Sequence, residues 1–306
     1  MIEQSTNAVL MIRPNRFYPN PETAADNAFQ QSVAAGELPE ISAAARREFD
    51  AAVQRLRGGG ITVHVVDDTA TPEKPDAVFP NNWLSTHHDG RVVLYPMYSS
   101  ARRRERRQDV IDELRKHYQI AAVVDYSAGE EEGRCLEGTG SLVLDHVHKL
   151  AYASLSQRTH PEVLERFCAD FGYEPVTFRS VSEDGRPVYH TNVIMCIGSE
   201  FALISSVMIP DEAERVAVQE RLKSTGKEVI ELSAAQISEF AGNAIELQNE
   251  REKLLVLSER GVAALTPQQR KAIEKYSRLV PLALATIELA GGSARCMIAT
   301  IHLPPL

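Results

Sequence analysis

The chain has 306 residues, with 33 Lys and Arg against 42 Asp and Glu, a formal net charge of −9 and 43% hydrophobic content. That balance excludes a disordered or fibrous chain, and the acidic excess works against general nucleic-acid binding, where phosphate contacts need clustered Lys and Arg. No stretch approaches the ~20 apolar residues that span a bilayer, which leaves small-molecule chemistry as the favoured class.

Short apolar runs alternate with helical patterns from end to end. The first segment, MIEQSTNAVLMIRPNRF, holds a five-residue apolar run without a basic flank, so it reads as a strand over 8–12 and not as a secretory signal. A helix over 41–57 and strands over 61–66 and 91–95 follow. Next come a helix over 102–117, strands over 120–125, 141–144 and 150–153, and a helix over 161–171. Strands over 175–178, 192–196 and 201–205, a helix over 211–224, strands over 228–232 and 254–257, a helix over 267–276 and a strand over 279–284 complete the chain. Pro161, Asp211 and Pro267 suit helix starts, and Gly58, Gly172 and Gly226 suit C-terminal caps. The class is α/β or α+β. About five strand-strand-helix-strand units can be drawn without a sequence repeat, and no linker divides the chain, so one continuous domain over 1–306 is expected.

The four cysteines, Cys135, Cys168, Cys196 and Cys296, contain no Cys-x-x-Cys pair, which argues against a zinc ribbon or a disulfide framework and for a reducing, cytoplasmic setting. Cys168 (ERFCADF) and Cys196 (VIMCIG) sit in apolar patterns and read as core, while Cys135 is ambiguous. Cys296 follows the loop GGSAR, where glycines let backbone approach a ligand and a thiol can be held at a loop mouth. The bland alternative is a buried cysteine after an ordinary loop.

A thiol nucleophile needs a proton partner, and the partner needs an orienting group. Among nine histidines, His190 (VYHTNVIM) stands where a polar loop enters an apolar strand. His87 and His88 (THHDG) read as solvated turn residues, and His146 with His148 makes only two ligands of a metal site. Glu137 (CLEGTGSLVL) also precedes an apolar strand, and KPDAVFPNNW offers Asp76 with the amides Asn81 and Asn82 in one turn. Singly, each also reads as a surface loop residue.

In order these segments are D-x-V-F-P-N-N-W, L-E-G-T-G-S, S-Q-R-T, Y-H-T-N-V, F-A-G-N and G-G-S-A-R-C-M. The chain resembles the guanidino-group-modifying superfamily of arginine deiminases, dimethylarginine dimethylaminohydrolases and amidinotransferases. It is most similar to the bacterial branch of citrulline-utilisation hydrolases, and the likeness runs over nearly the whole chain. The resemblance implies an α/β propeller with five-fold pseudosymmetry, built of ββαβ units around a polar channel. It implies Cys296 as nucleophile, His190 as general acid/base and Glu137 as the carboxylate that binds the substrate head or orients the site. It further implies Asp76 at the substrate's α-amino end and Arg158 and Arg102 as clamps for its α-carboxylate, a task for which bidentate guanidinium suits. Of the basic run ARRRERR only Arg102 is expected to face the channel, and Asn243 in FAGN is expected to be structural.

This sequence departs from arginine deiminases at Asn82 and Asn192, which replace carboxylates. Neutral amides compensate a buried guanidinium poorly but can donate to and accept from a ureido group. The expected reaction is therefore hydrolysis of citrulline to ornithine, ammonia and carbon dioxide, with no metal or organic cofactor. The alternatives are deimination of arginine or a methylarginine, amidino transfer, or an inactive propeller that binds an amino acid or a protein; loss of the cysteine or histidine would mark the last, and neither is lost. The expected partner is a small amino-acid substrate, with no nucleic acid and no membrane, and the sequence is compatible with a homo-oligomer.

Overall fold

A computed structural model describes residues 2–306. Its elements begin with β1 (Ala8–Arg13), α1 (Leu38–Gly58) and β2 (Thr62–Asp67), followed by β3 (Leu84–Thr86), β4 (Arg91–Leu94), α2 (Ser100–Arg103), α3 (Gln108–Arg115) and β5 (Ala122–Asp125). The next are α4 (Gly138–Ser141), β6 (Val143–Asp145), β7 (Leu150–Ser154), α5 (Pro161–Phe171) and β8 (Glu174–Phe178). Then come α6 (Thr191–Ile194), β9 (Met195–Ile197), β10 (Phe201–Ile204), α7 (Glu212–Ser224), β11 (Glu228–Glu231) and α8 (Ala234–Ser238). The last are β12 (Ile245–Gln248), β13 (Lys253–Ser258), α9 (Glu259–Ala264), α10 (Pro267–Glu274), β14 (Arg278–Leu282) and β15 (Ala299–Thr300).

The strands form five three-stranded sheets, β15-β1-β2, β3-β4-β5, β6-β7-β8, β9-β10-β11 and β12-β13-β14. In each the middle strand is antiparallel to one neighbour and parallel to the other. The parallel partner always follows a helical crossover, as parallel pairing requires. Middle strands such as β10 (FALI) are apolar throughout and buried on both faces, whereas outer strands such as β5 are largely exposed. The helices lay apolar stripes on the sheets. In α1 the buried positions Ala45, Phe49, Ala52, Val53 and Leu56 recur at three- and four-residue spacing, each large side chain contributing about 1.5–3 kcal/mol.

The mixed α/β reading and the five units match this architecture. The helix over 161–171 is found as drawn, with Gly172 at φ 69° as its left-handed cap. The helix expected over 102–117 is broken into α2 and α3, because Arg107 is extended and the side chains of Arg102 and Arg106 are drawn off to Glu105 and Glu130. The strand expected over 192–196 begins only at Met195. Thr191 donates its hydroxyl to Ser141 O at 2.6 Å and accepts from Ser154 N at 2.8 Å, which fixes a helical turn before the strand.

The first strand of every sheet is entered from a polar turn. These turns are Pro80–Asn82 before β3, α4 before β6, α6 before β9, residues 240–243 before β12 and residues 293–297 before β15. Neighbouring turns are laced together: Thr139 Oγ1 donates to Asn81 O at 3.2 Å, Thr191 Oγ1 to Ser141 O, and Asn243 Nδ2 to Asn192 O at 3.1 Å. Residues far apart in sequence thereby meet at one place, under a strap formed by residues 20–31.

Candidate active site

Cys296 is 3% exposed and follows a loop anchored at several points. Gly291 has φ 78°, and a Cβ on it would collide with Asn27 of the strap. Its carbonyl accepts from Tyr189 Oη at 2.5 Å, while Ser293 Oγ donates to Glu288 Oε1 at 2.6 Å. The Cys296 N–H is spent on Ser293 O at 3.0 Å. The sulfur lies 3.3 Å from Asn243 Nδ2 and 3.5 Å from Asn192 Nδ2. Burial pushes the other thiols up, Cys135 to about 11 and Cys168 and Cys196 to about 12, so those three are poor nucleophiles.

His190 Nε2 is 2.7 Å from Glu137 Oε2. Burial lowers the His190 pKa, and the Glu137 carboxylate works against it. Glu137 is completely buried; burial opposes its charge, but Arg158, the His190 bond and Arg102 outweigh that and hold it well below the usual carboxylate range. Its other oxygen accepts from Tyr98 N at 2.9 Å. Glu137 thus orients the ring, leaving Nδ1 on the side of Asn82. Gly140 makes that possible: a Cβ there would sit within 2.8 Å of His190 Nδ1 and closer still to Asn82 Nδ2.

Asn82 Oδ1 accepts from Arg102 Nη1 at 2.7 Å, and its Nδ2 is buried without a partner among the described residues; the Oδ1 of Asn192 is likewise unpaired among them. Arg102 is the one buried arginine of its run, but its Nε and Nη2 grip Glu105 at 3.0 and 2.9 Å, and Asp76 lies 3.8 Å off. Asp76 accepts from Asn20 Nδ2 at 2.8 Å, and burial raises its pKa. Arg158 pairs with Asp26 of the strap, stands 3.4 Å from Glu137 and lies 4.8 Å over the Tyr189 ring.

Asn27, Asp76, Asn82, Arg102, Arg158, Tyr189, His190 and Cys296 surround a cavity of about 20 Å³, room for one water. The strap residue Asn27 is part of the wall, so the closed site has no room for a larger molecule. All eight residues assigned from the sequence, Cys296, His190, Glu137, Asp76, Asn82, Asn192, Arg158 and Arg102, converge here. Sequence reasoning missed Asp26, Asn27 and Tyr189, and Asn243 touches the sulfur although it was expected to be structural.

One other expectation is corrected. His87 is buried, with Nε2 2.9 Å from Ser85 Oγ and its ring 4.2 Å from that of Phe171, so it is not a solvated turn residue, while His88 is a half-buried turn residue whose ring lies against His302. His146 and His148, only two ligands of a metal site in the sequence, each have another partner: His146 Nδ1 meets Tyr173 Oη, and His148 Nδ1 meets Asp145. Among the described residues no group of three His, Cys, Asp or Glu could hold a metal, and no helix is long and apolar enough to cross a membrane. A second cavity, lined by Asn192, Cys196, His146, His302 and Arg295, lies beside the site. Burial pulls the Arg295 guanidinium down to about 10.

A family model described as N,N dimethylarginine dimethylhydrolase, eukaryotic, matches residues 13–303. No curated protein matches the chain significantly. The fold is similar to that of the N-terminal domain of ArgZ, an arginine dihydrolase from the ornithine-ammonia cycle in Cyanobacteria, with substrate bound, at 16% identity and TM-score 0.72 over 97% of this chain and 99% of that one. It is similar to AgrE in complex with ornithine and NAD+, at 16% identity and TM-score 0.74, over 96% of this chain and 39% of that one. It is also similar to a dimethylarginine dimethylaminohydrolase adduct with S-methyl-L-thiocitrulline, at 15% identity and TM-score 0.65 over 96% and 99%. The chain spans 39% of the full-length ArgZ and AgrE chains.

Proposed function

The chain belongs to the N,N dimethylarginine dimethylhydrolase family, and on that premise we propose that it hydrolyses the ureido group of citrulline to give ornithine, ammonia and carbon dioxide. The observation that carries the reading is a pair of amide atoms without partners among the described residues, Asn82 Nδ2 on the cavity that Cys296 lines and Asn192 Oδ1 on the amide that touches the sulfur. A ureido group has a carbonyl that needs a donor and N–H groups that need acceptors, and these two atoms supply one of each. Of the carboxylates nearby, Glu137 is committed to His190 and Tyr98 N, Glu105 to Arg102 and Asp26 to Arg158, and Asp76, which accepts one bond from Asn20, is assigned to the substrate's α-amino group. A guanidinium would enter without an anion assigned to it.

In the proposed reaction Cys296 passes its proton to His190 and attacks the ureido carbon, while Asn82 Nδ2 donates to the oxygen as it gains charge. His190, its imidazolium supported by Glu137, protonates the departing δ-nitrogen, and ornithine leaves an S-carbamoyl enzyme. His190 then deprotonates a water that displaces the thiolate; carbamate leaves and breaks down to ammonia and carbon dioxide. Arg158 takes the substrate's α-carboxylate and Asp76 its α-amino group. The five units, each contributing one turn to the site, support a single five-bladed α/β propeller.

Incubating the protein with citrulline, arginine, asymmetric dimethylarginine and agmatine, with product identification, tests the reading. Ornithine from citrulline is expected. Citrulline formed from arginine or from dimethylarginine overturns it in favour of deimination.

A further inference from the structure

The groups that touch the Cys296 sulfur are side-chain amides, not the histidine. Asn243 Nδ2 lies 3.3 Å and Asn192 Nδ2 3.5 Å from Sγ, while His190 Nε2 is held by Glu137. Asn243 cannot turn away, because its Oδ1 accepts from Arg295 N at 3.0 Å and its Nδ2 also donates to Asn192 O at 3.1 Å. The Oδ1 also lies 3.7 Å from Sγ, within reach of the thiol proton, but the two backbone partners fix the orientation of the amide and keep the nearer Nδ2 end on the sulfur.

The other titratable groups around the thiol are His190 and Tyr189 before β9, Arg158 after β7, Arg102 on α2, Asp76 before β3 and Arg295 in the Cys296 turn itself. Asp26 and Glu137 offset Arg158, and Glu105 offsets Arg102. Arg295 differs from both. Its Nη1 donates to Ile298 O at 2.8 Å, and it is engaged in no ion pair with a carboxylate among the described residues. A half-buried cation without a counter-charge still raises the local potential and favours an anion nearby, though solvent on its open side weakens the effect.

We propose that Asn192 and Asn243 form a cradle for the Cys296 thiolate, backed by the uncompensated charge of Arg295. The proposal rests on Cys296 being the nucleophile. A guanidinium substrate brings its own positive charge to a thiolate, whereas a neutral ureide brings none, so an enzyme for ureides must carry that stabilisation in its own residues. Two N–H donors aimed at sulfur serve the anion more than the thiol, because charge-assisted bonds are the stronger ones. The proton that leaves sulfur goes to His190. Asn192 and Asn243 contact the reacting atom; Arg295 acts at a distance as a positioning residue.

The test is the pH dependence of Cys296 alkylation by iodoacetamide, read at the Cys296 peptide by mass spectrometry. In this step the S–C bond forms as iodide leaves, and its rate follows the thiolate. Asn243→Ala should move the midpoint up by about one pH unit, lowering the rate at neutral pH about tenfold. Asn243→Asp, nearly isosteric and so independent of packing loss, should move it further, because a carboxylate then faces the sulfur. Asn192→Ala should move it in the same direction. Arg295→Met should raise the midpoint while Arg295→Lys restores it. Unmoved midpoints in both Asn243 variants overturn the cradle, and equal shifts in the two Arg295 variants overturn the role of its charge. Shifted midpoints in a protein that turns over neither citrulline nor arginine overturn the substrate reading alone. A wild-type Cys296 that resists alkylation at every pH overturns both.

Discussion

Arg158 holds Asp26 through two parallel hydrogen bonds, 2.7 Å from Nε and 2.6 Å from Nη2, the geometry in which a guanidinium binds any carboxylate. The strap thus presents to Arg158 the group that the substrate's α-carboxylate would present. In the proposed reaction substrate and strap would compete for one guanidinium, and entry would exchange one carboxylate for the other without leaving Arg158 unpaired.

Asp26→Asn should therefore lower KM for the amino-acid substrate. Loss of a partly buried charge-assisted pair worth about 1.4 kcal/mol corresponds to a roughly tenfold change, with kcat within about twofold. Steady-state kinetics on both proteins checks this. A raised KM would mean that Asp26 holds the strap over bound substrate.

Cys296→Ser should abolish turnover and leave the thermal midpoint nearly unchanged, since the substitution removes little volume and its N–H bond to Ser293 is kept. Residual activity above a few per cent of wild type would place the nucleophile elsewhere. In the same assay His190→Ala should block both half-reactions.

Asn82→Asp keeps the Oδ1 bond to Arg102 but replaces the unpaired donor with an acceptor. Citrulline should lose roughly 1–3 kcal/mol of transition-state binding, while any arginine side activity should rise, measured as kcat/KM for both substrates. Equal losses on the two would show that Asn82 only ties Arg102 to the turn.

Acid stability should be limited by buried histidines. His87 is driven to about 3 by burial, and burial also lowers His88, His146 and His302. Their folded pKa values lie below the unfolded value of about 6.5. Stability is thus intact above pH 6.5 and falls as the pH drops below it, by up to about 1.4 kcal/mol per pH unit for each histidine, until the folded pKa is reached. Urea unfolding between pH 7.5 and 4.5 measures the slope, and His302→Asn should flatten it.

The pattern of apolar runs disclosed most of the fold, because middle strands such as β10 and β13 are buried on both faces and read as uninterrupted hydrophobics. It could not disclose β3 or β15, whose segments LST and AT are too short to carry a period, and the two-residue alternation of IELQ in β12 spans only four residues. Cys296, His190 and Glu137 stood out because each lies in a polar turn that enters an apolar strand. Asp26 did not, since DNAFQQ has no pattern and its partner is 132 residues away. Asn243 looked structural because its contact with the sulfur exists only after distant turns close together. His87 looked solvated because THHDG has turn chemistry, but α5 brings Phe171 against it.

The pairing of β1 with β15 joins Val9 and Leu10 to Thr300 and Ala299, and it fixes the turn that carries Cys296. Contacts between positions so distant in sequence carry a large loop-closure penalty and tend to form late in folding. The helices and the local β-hairpins need no such closure. During refolding from urea, far-ultraviolet circular dichroism should recover before Cys296 gains its neighbours, so catalytic activity would return in a later phase. The thiol then serves as a clock for the final closure of the chain.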